Sequence, residues 1–385
     1  MKKYIQTVAC AALICVCLLG CGKQELEEPA TSPDVRENTT VLYTEIPDAG
    51  ETAASSTQHV THELCDNLYI DAEAVIPDKS QYSTYTLKMV DCDPERLFNL
   101  FCPEGHGSYT MEERGNCIVY DESSGKQLVI YEDSIDYRTY NFKTGERPMQ
   151  DLEALMYYHT VEHPNAAPHD LSFMSVDKME KFGRDLLTRL GIAWEPKLFR
   201  CVTLSGREIM DFQQELFGDG GTYVQLGITP TSLTAAEDAC YLQFNFAWDG
   251  IPLIGFDEPT ASSYDNFGVS PDAKATIMLN DDGIQTCTVS FPCTIETASD
   301  PQPILNMEEA IALLKDKYDL QILDVPRKIV DIWMEYIPVK RDEEWVLTPY
   351  WYFRQVDEKA TGSRSYFGSA NRFNAITGKD LTYGG

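Results

Sequence analysis

Two rhythms of apolar residues divide this chain. Residues 67–75 (NLYIDAEAV) and 82–90 (YSTYTLKMV) place aromatic and β-branched side chains at alternate positions, the period of a half-buried strand. Asp93-Pro94-Glu95 then opens a short helix through Phe101, with proline early, where its missing N–H is tolerated. Residues 117–120 and 127–131 flank Glu122-Ser123-Ser124-Gly125 and predict a hairpin. A further strand ends in 141–146 (NFKTGE), and a helix over 151–161 stops at Pro164. We read 62–168 as an N-terminal α/β unit.

From residue 170 one plan runs twice, period 3.6 switching to period 2. The first copy has Ser175 as N-cap, apolar positions Val176, Met179, Phe182, Leu186 and Leu190, and Gly191 where the helix ends. Strands follow at 197–204 and 241–248, where Leu242, Phe244, Phe246 and Trp248 alternate with Gln243, Asn245 and Ala247. A hairpin over 276–279 and 284–291 turns at Asn280-Asp281-Asp282-Gly283. The second copy opens on Asn306 and Glu309, a capping-box pair, and its helix face is Met307, Ala310, Ile311, Leu314 and Tyr318. Its strands are 328–336, with Val330, Ile332, Met334 and Tyr336 on one face, and 346–356. The expected fold class is α+β: tandem helix-plus-antiparallel-sheet units at 170–300 and 301–385 after the smaller N-terminal α/β unit.

The first sixty residues follow neither rhythm. Lys2 and Lys3 precede an unbroken apolar run at 8–19 (VACAALICVCLL), far short of the roughly 20 residues a spanning helix needs. With Leu18-Leu19-Gly20-Cys21 at its end, it has the layout of a lipoprotein signal peptide, residues 1–20, although Leu19 is larger than the usual residue there. Cleavage before Cys21 would leave a thiol to carry diacylglycerol as a thioether. Two or more acyl chains then give stable anchoring. Residues 21–60, rich in Glu, Thr, Pro, Ser and Ala, bury too little apolar surface to order and read as an acidic tether reaching roughly 35 Å. The expected location is the extracytoplasmic face of the cell membrane, with the membrane itself a partner through the N-terminal lipid.

Three motifs of the second copy carry a resemblance. Asn306-Met307-Glu308-Glu309-Ala310, Pro349-Tyr350-Trp351-Tyr352-Phe353 and Asn374-Ala375-Ile376-Thr377-Gly378 stand in this order. Together they resemble PepSY-like and YycI-like extracytoplasmic domains, and more closely a group of uncharacterised clostridial lipoproteins. The resemblance covers 170–385. It implies a role in holding or regulating an envelope partner such as a sensor kinase or a peptidase, and it implies no catalytic residue. Unlike YycI, this chain has a lipidated cysteine in place of a membrane helix.

Charge narrows the partners. The formal net charge is −30, and losing Lys2 and Lys3 with the signal takes it to −32. Nucleic acid and anionic lipid surfaces both need clustered Lys and Arg, and a charge this negative argues against them as partners. Eight cysteines remain after the signal and Cys21: Cys65, Cys92, Cys102, Cys117, Cys201, Cys240, Cys287 and Cys293. None forms a C-x-x-C pair, which argues against a zinc ribbon. Export permits disulfides, yet a chain this long can build its core without them. Cys287 and Cys293 would lie roughly 20 Å apart on one extended strand, so they pair only if the chain turns at Pro292.

Candidate chemistry is sparse. His159 and His163, four apart on a helix, share a face as two zinc ligands would, with His169 and Asp170 beyond. The H-E-x-x-H pattern is absent, and His159 falls beside Leu152, Leu155 and Met156, where a core histidine is the common case. Aspartates 91, 93, 281 and 282 fit helix starts and turns better than a Ca²⁺ loop. Residues 218–221 (GDGG) lack the lysine of a phosphate loop, and no nucleophile elbow occurs. No cofactor is implied. Three functions remain open: a non-catalytic binding or regulatory module, a glycan- or solute-binding lipoprotein using Trp351 and Trp248, and a metal-dependent hydrolase built on the three histidines.

Overall fold

The computed structural model describes residues 56–381 except 124, 140–147, 164, 218–232, 234–235, 254–272, 320, 342–343 and 358–369. They belong to one unit, Glu45–Gly385. The signal, Cys21, most of the tether, the 141–146 turn and the 218–221 stretch lie outside the described residues.

The elements run β1 (Ser56–Cys65), β2 (Leu68–Ile76), β3 (Gln81–Tyr82), β4 (Tyr85–Met89), α1 (Pro94–Phe101), β5 (Tyr109–Arg114), β6 (Cys117–Glu122), β7 (Lys126–Tyr131) and β8 (Ser134–Thr139). Next come α2 (Pro148–Glu162), α3 (Val176–Leu190), β9 (Glu195–Leu204), α4 (Gly206–Phe217), β10 (Ala239–Trp248), β11 (Ile251–Pro252), β12 (Lys274–Asn280) and β13 (Gly283–Ser290). The chain continues with β14 (Cys293–Ala298), β15 (Gln302–Pro303), α5 (Met307–Tyr318), β16 (Arg327–Arg341), β17 (Glu344–Asp357) and β18 (Ala370–Asn374). The class is α+β, as the two apolar rhythms require.

Nine strands form one antiparallel sheet in the order β11-β10-β12-β13-β8-β7-β6-β5, with β9 also on β10. Seven form a second, β1-β2-β16-β17-β4-β14, with β18 also on β17. The β2–β16 pairing is parallel, Leu68 opposite Arg327. The stretches 62–168, 170–300 and 301–385 therefore share sheets and do not stand as three separate units. The physical reason is edge closure. The long hairpin of β16 and β17 would expose two unpaired edges; β2 covers one, and β4 joins β18 on the other.

Local signals set most elements where the pattern places them. Asp93 caps α1, its Oδ2 accepting from Arg96 N at 2.8 Å. The hairpin turns close on Gly125 at φ +95° and Gly283 at φ +101°, left-handed conformations that glycine adopts without strain. Asn306 and Glu309 form the complete capping box of α5. Ser175 holds the cap position of α3 but makes no side-chain bond there, and Asp170 Oδ1 accepts from Val176 N instead. Within β16 the register slips at Ile329–Asp331, so Ile329 in place of Val330 joins Ile332, Met334 and Tyr336 inside.

The three motifs of the second copy meet at one place. Leu305, just before the α5 cap, donates its N–H to Ala375 O at 2.7 Å, while its own carbonyl accepts from Trp351 Nε1 at 2.9 Å. Asn374 Oδ1 accepts from the N–H groups of Ile376 and Thr377, which fixes the closing turn. Helix start, core strand and turn are thus one packing unit.

Candidate functional site: a histidine cleft at the end of a helix

Helix α2 buries Leu152, Leu155 and Met156 against Ile209, Phe212 and Leu216 of α4 and against Tyr241 and Met278 of the nine-stranded sheet. Their i, i+3, i+4 spacing puts them on one stripe, and His159 continues it toward the C-terminal end. Helix α4 has no counterpart among the elements expected from sequence. Its signal is Ser205-Gly206-Arg207-Glu208: Glu208 Oε2 accepts from Ser205 N at 2.7 Å, and Ser205 Oγ accepts from Glu208 N at 3.3 Å. Gly206 is required, because a Cβ there would stand 2.1 Å from Ala236 O. Asp238 ties the surrounding loop, accepting from Ser172 Oγ at 2.6 Å and Gly206 N at 3.1 Å. The Ser172 hydrogen bond, with Gly206 N second, holds its carboxyl below the usual carboxylate range.

His159 and His163 stand with ring centroids 4.8 Å apart, and Phe212 meets both edge-on at 5.1 and 5.5 Å. Together with Glu162, Asn165 and Ala166 the two histidines line an open cleft of about 490 Å³. His159 is half-buried, and its Nδ1 has no hydrogen-bond partner among the described residues. Burial first, then the neighbouring His163, lowers its pKa from the ordinary 6.5. His163 is exposed.

The third histidine stands on a separate support. His169 N donates to Thr203 Oγ1 at 2.7 Å, and its Nε2 lies 3.4 Å from Glu208 Oε2. Glu208 in turn is held acidic mainly by the Ser205 hydroxyl. Among the described residues no group of three His, Cys, Asp or Glu side chains converges as a metal set. The spacing of His159 and His163 does bring them together, but His169 and Asp170 are engaged elsewhere, with Thr203 and Glu208 and with the start of α3. What the arrangement offers is an imidazole pair whose inner member prefers to stay neutral.

Trp351, the first candidate for stacking a sugar, is 1 % exposed and packs among Phe353, Phe373 and the residues of α5. It presents no open ring face. Trp248 is half-buried and meets Tyr85 and Trp194 edge-on at 5.6 and 6.1 Å. Both rings belong to the packing of the sheets. Aspartates 281 and 282 sit in the β12–β13 turn, with Asp282 N donating to Asn280 Oδ1. No helix among the described residues is long and apolar enough to cross a membrane.

No protein-family model matches the chain, and no curated protein matches it in sequence. Among solved structures it is similar to an uncharacterised protein from Eubacterium rectale, at 15 % identity and a TM-score of 0.52, over 84 % of this chain and 93 % of that one. That likeness shows a shared fold. A second similarity is to YycH from Bacillus subtilis, at 10 % identity and a TM-score of 0.30, over 76 % of this chain and 56 % of that one. This score is too low to equate the folds.

Proposed function

We propose that this chain is a lipid-anchored, extracytoplasmic module that binds or regulates a protein partner in the envelope, a sensor kinase or a peptidase, without catalysing a reaction itself. The observation that carries the reading is β1, an exposed strand that directly follows the stretch read from sequence as a lipobox at Cys21 and an acidic tether. β1 occupies the end of the seven-stranded sheet, hydrogen-bonded along one side to β2 and, among the described residues, to no strand on the other. An open edge at the point where a tether enters is suited to strand addition by a partner.

The two rival readings have less support. Glycan or solute binding leaned on Trp351 and Trp248, and Trp351 is a core residue. A metal-dependent hydrolase needs His169 beside His159 and His163, and His169 lies against Thr203 and Glu208.

The test has two arms. In cells, the parent should sediment with membranes and label with palmitate, while Cys21→Ala should do neither. Equal membrane partitioning of both forms, without palmitate, overturns the anchor. A photo-crosslinking residue at Gln58 on β1 should trap a discrete envelope protein, and the same residue at Asp282, on a distant turn, should not. Equal yields from both positions overturn the role of β1.

A further inference from the structure

Beyond the partner-binding reading, and independent of it, the cysteines carry a second inference. All eight described cysteines are free thiols in this structure. Four direct their sulfurs to other groups: Cys92 to Val90 O, Cys102 to the Tyr137 hydroxyl, Cys117 to Arg114 O and Cys293 to the Met89 sulfur. Cys201 and Cys240 instead lie near enough to bias each other's ionisation, Cys201 downward and Cys240 upward.

Their meeting follows from the strand register. On β9 and β10, Cys201 stands opposite Leu242 and Thr203 opposite Cys240. The two cysteines are therefore diagonal neighbours, and alternation places them on the same face of the sheet. Cys240 is fully buried beside Leu242, whereas Cys201 is half-buried. Among the described residues β9 pairs only with β10, and bonding the two sulfurs requires this diagonal pair to draw closer than its register spacing.

We propose that Cys201 and Cys240 form a reversible disulfide that staples β9 to β10 and closes the segment between them, which contains α4. The oxidant is a disulfide of the envelope, protein-borne or small. Cys201 as thiolate attacks one sulfur of that disulfide and expels a thiolate, which takes up a proton. Cys240 then loses its proton and attacks the Cys201 sulfur of the mixed disulfide, expelling the second thiolate. Two S–H bonds are replaced by one S–S bond, and the two electrons and two protons leave on two reduced thiols. The order of attack follows from the difference in burial. Cys201 is the half-buried and so more accessible thiol, and its pKa is lowered by its neighbour, while Cys240 is fully buried and its pKa is raised.

The folded chain is incubated with excess oxidised glutathione, then unfolded, alkylated and digested with trypsin. The expected product is residues 201–207 (CVTLSGR) linked to the peptide carrying Cys240, lighter than the two free peptides by two hydrogens and separated by reductant. Cys287, buried and without a thiol partner, should alkylate fully after unfolding and serves as the internal standard. In Cys201→Ser treated the same way, Cys240 should also alkylate fully. The proposal is overturned if Cys201 and Cys240 both alkylate in the oxidised parent to the level of Cys287, or if Cys240 links to a different cysteine.

Discussion

In the nine-stranded sheet β10 is covered from both sides: α3 packs on Leu242 and Phe244, while α2 and α4 lie over Tyr241. In the seven-stranded sheet α5 covers one side of β17, over Trp351 and Phe353, and the opposite side carries charge. There Arg372 Nε donates to Glu335 Oε1 at 2.5 Å, with exposures of 4 % and 1 %, and Arg354 pairs with Asp331. Trp333 stacks on Tyr352 beside them at 4.1 Å. Polar groups on the second face of β10 are neutral instead. Gln243 and Asn245 are buried, and neither amide atom of Asn245 has a hydrogen-bond partner among the described residues. A buried charge must be matched, because the penalty for leaving it alone is several kcal/mol, whereas an unmatched amide costs about 1–3 kcal/mol. The second face of β10 tolerates a mismatch that the Arg372–Glu335 pair beside β17 does not.

The sharpest way to break that contrast is Arg372→Met. It leaves Glu335 buried without its cation and should lower unfolding free energy by about 3–5 kcal/mol in urea titrations. Adding Glu335→Met should restore most of the loss; a double variant as weak as the single one would show that the ion pair itself stabilises. Asn245→Val tests the other side. Removing an unpartnered amide should raise stability by about 1 kcal/mol, and a loss of that size would mean the amide is satisfied.

The smallest effect is set by pH. His159 has a folded pKa below its ordinary 6.5 because burial disfavours the imidazolium. As pH falls through 6.5 the unfolded chain takes up the proton first, so stability is present above that value and declines below it. His159→Leu should flatten the decline, measured as the midpoint of urea unfolding between pH 7 and 5. Parallel curves for the two proteins would remove burial of this imidazole as the cause.

Legibility in sequence followed the range of the interaction. The α5 start was readable because Asn306 and Glu309 act across three residues, and the α3 end because Gly191 takes φ +93°. Alternation along β10 was readable too, but not the burial of both its faces, since Gln243 and Asn245 are buried as well. The helices on its second face include α4, whose start is marked in the chain by the Ser205–Glu208 pair. β1 was partly absorbed into the tether because its residues are exposed and polar, so burial left no rhythm to detect. For the cleft, the i, i+4 spacing of His159 and His163 foretold their contact, while Phe212 between them and the diversion of His169 to Glu208 depend on how α4 docks. The pairing of β2 with β16 had no local trace at all.

That parallel pairing also orders events in time. Leu68 precedes Arg327 by most of the chain, and the strand that must lie beside β2 follows the five described helices and the whole of the other sheet. Loop-closure entropy of this size slows folding and prolongs exposure of unpaired strand edges. A nascent chain emerging N-terminus first would hold β2 in waiting until nearly all of its length is free, which makes this one ladder the step most open to a folding helper or to misassembly.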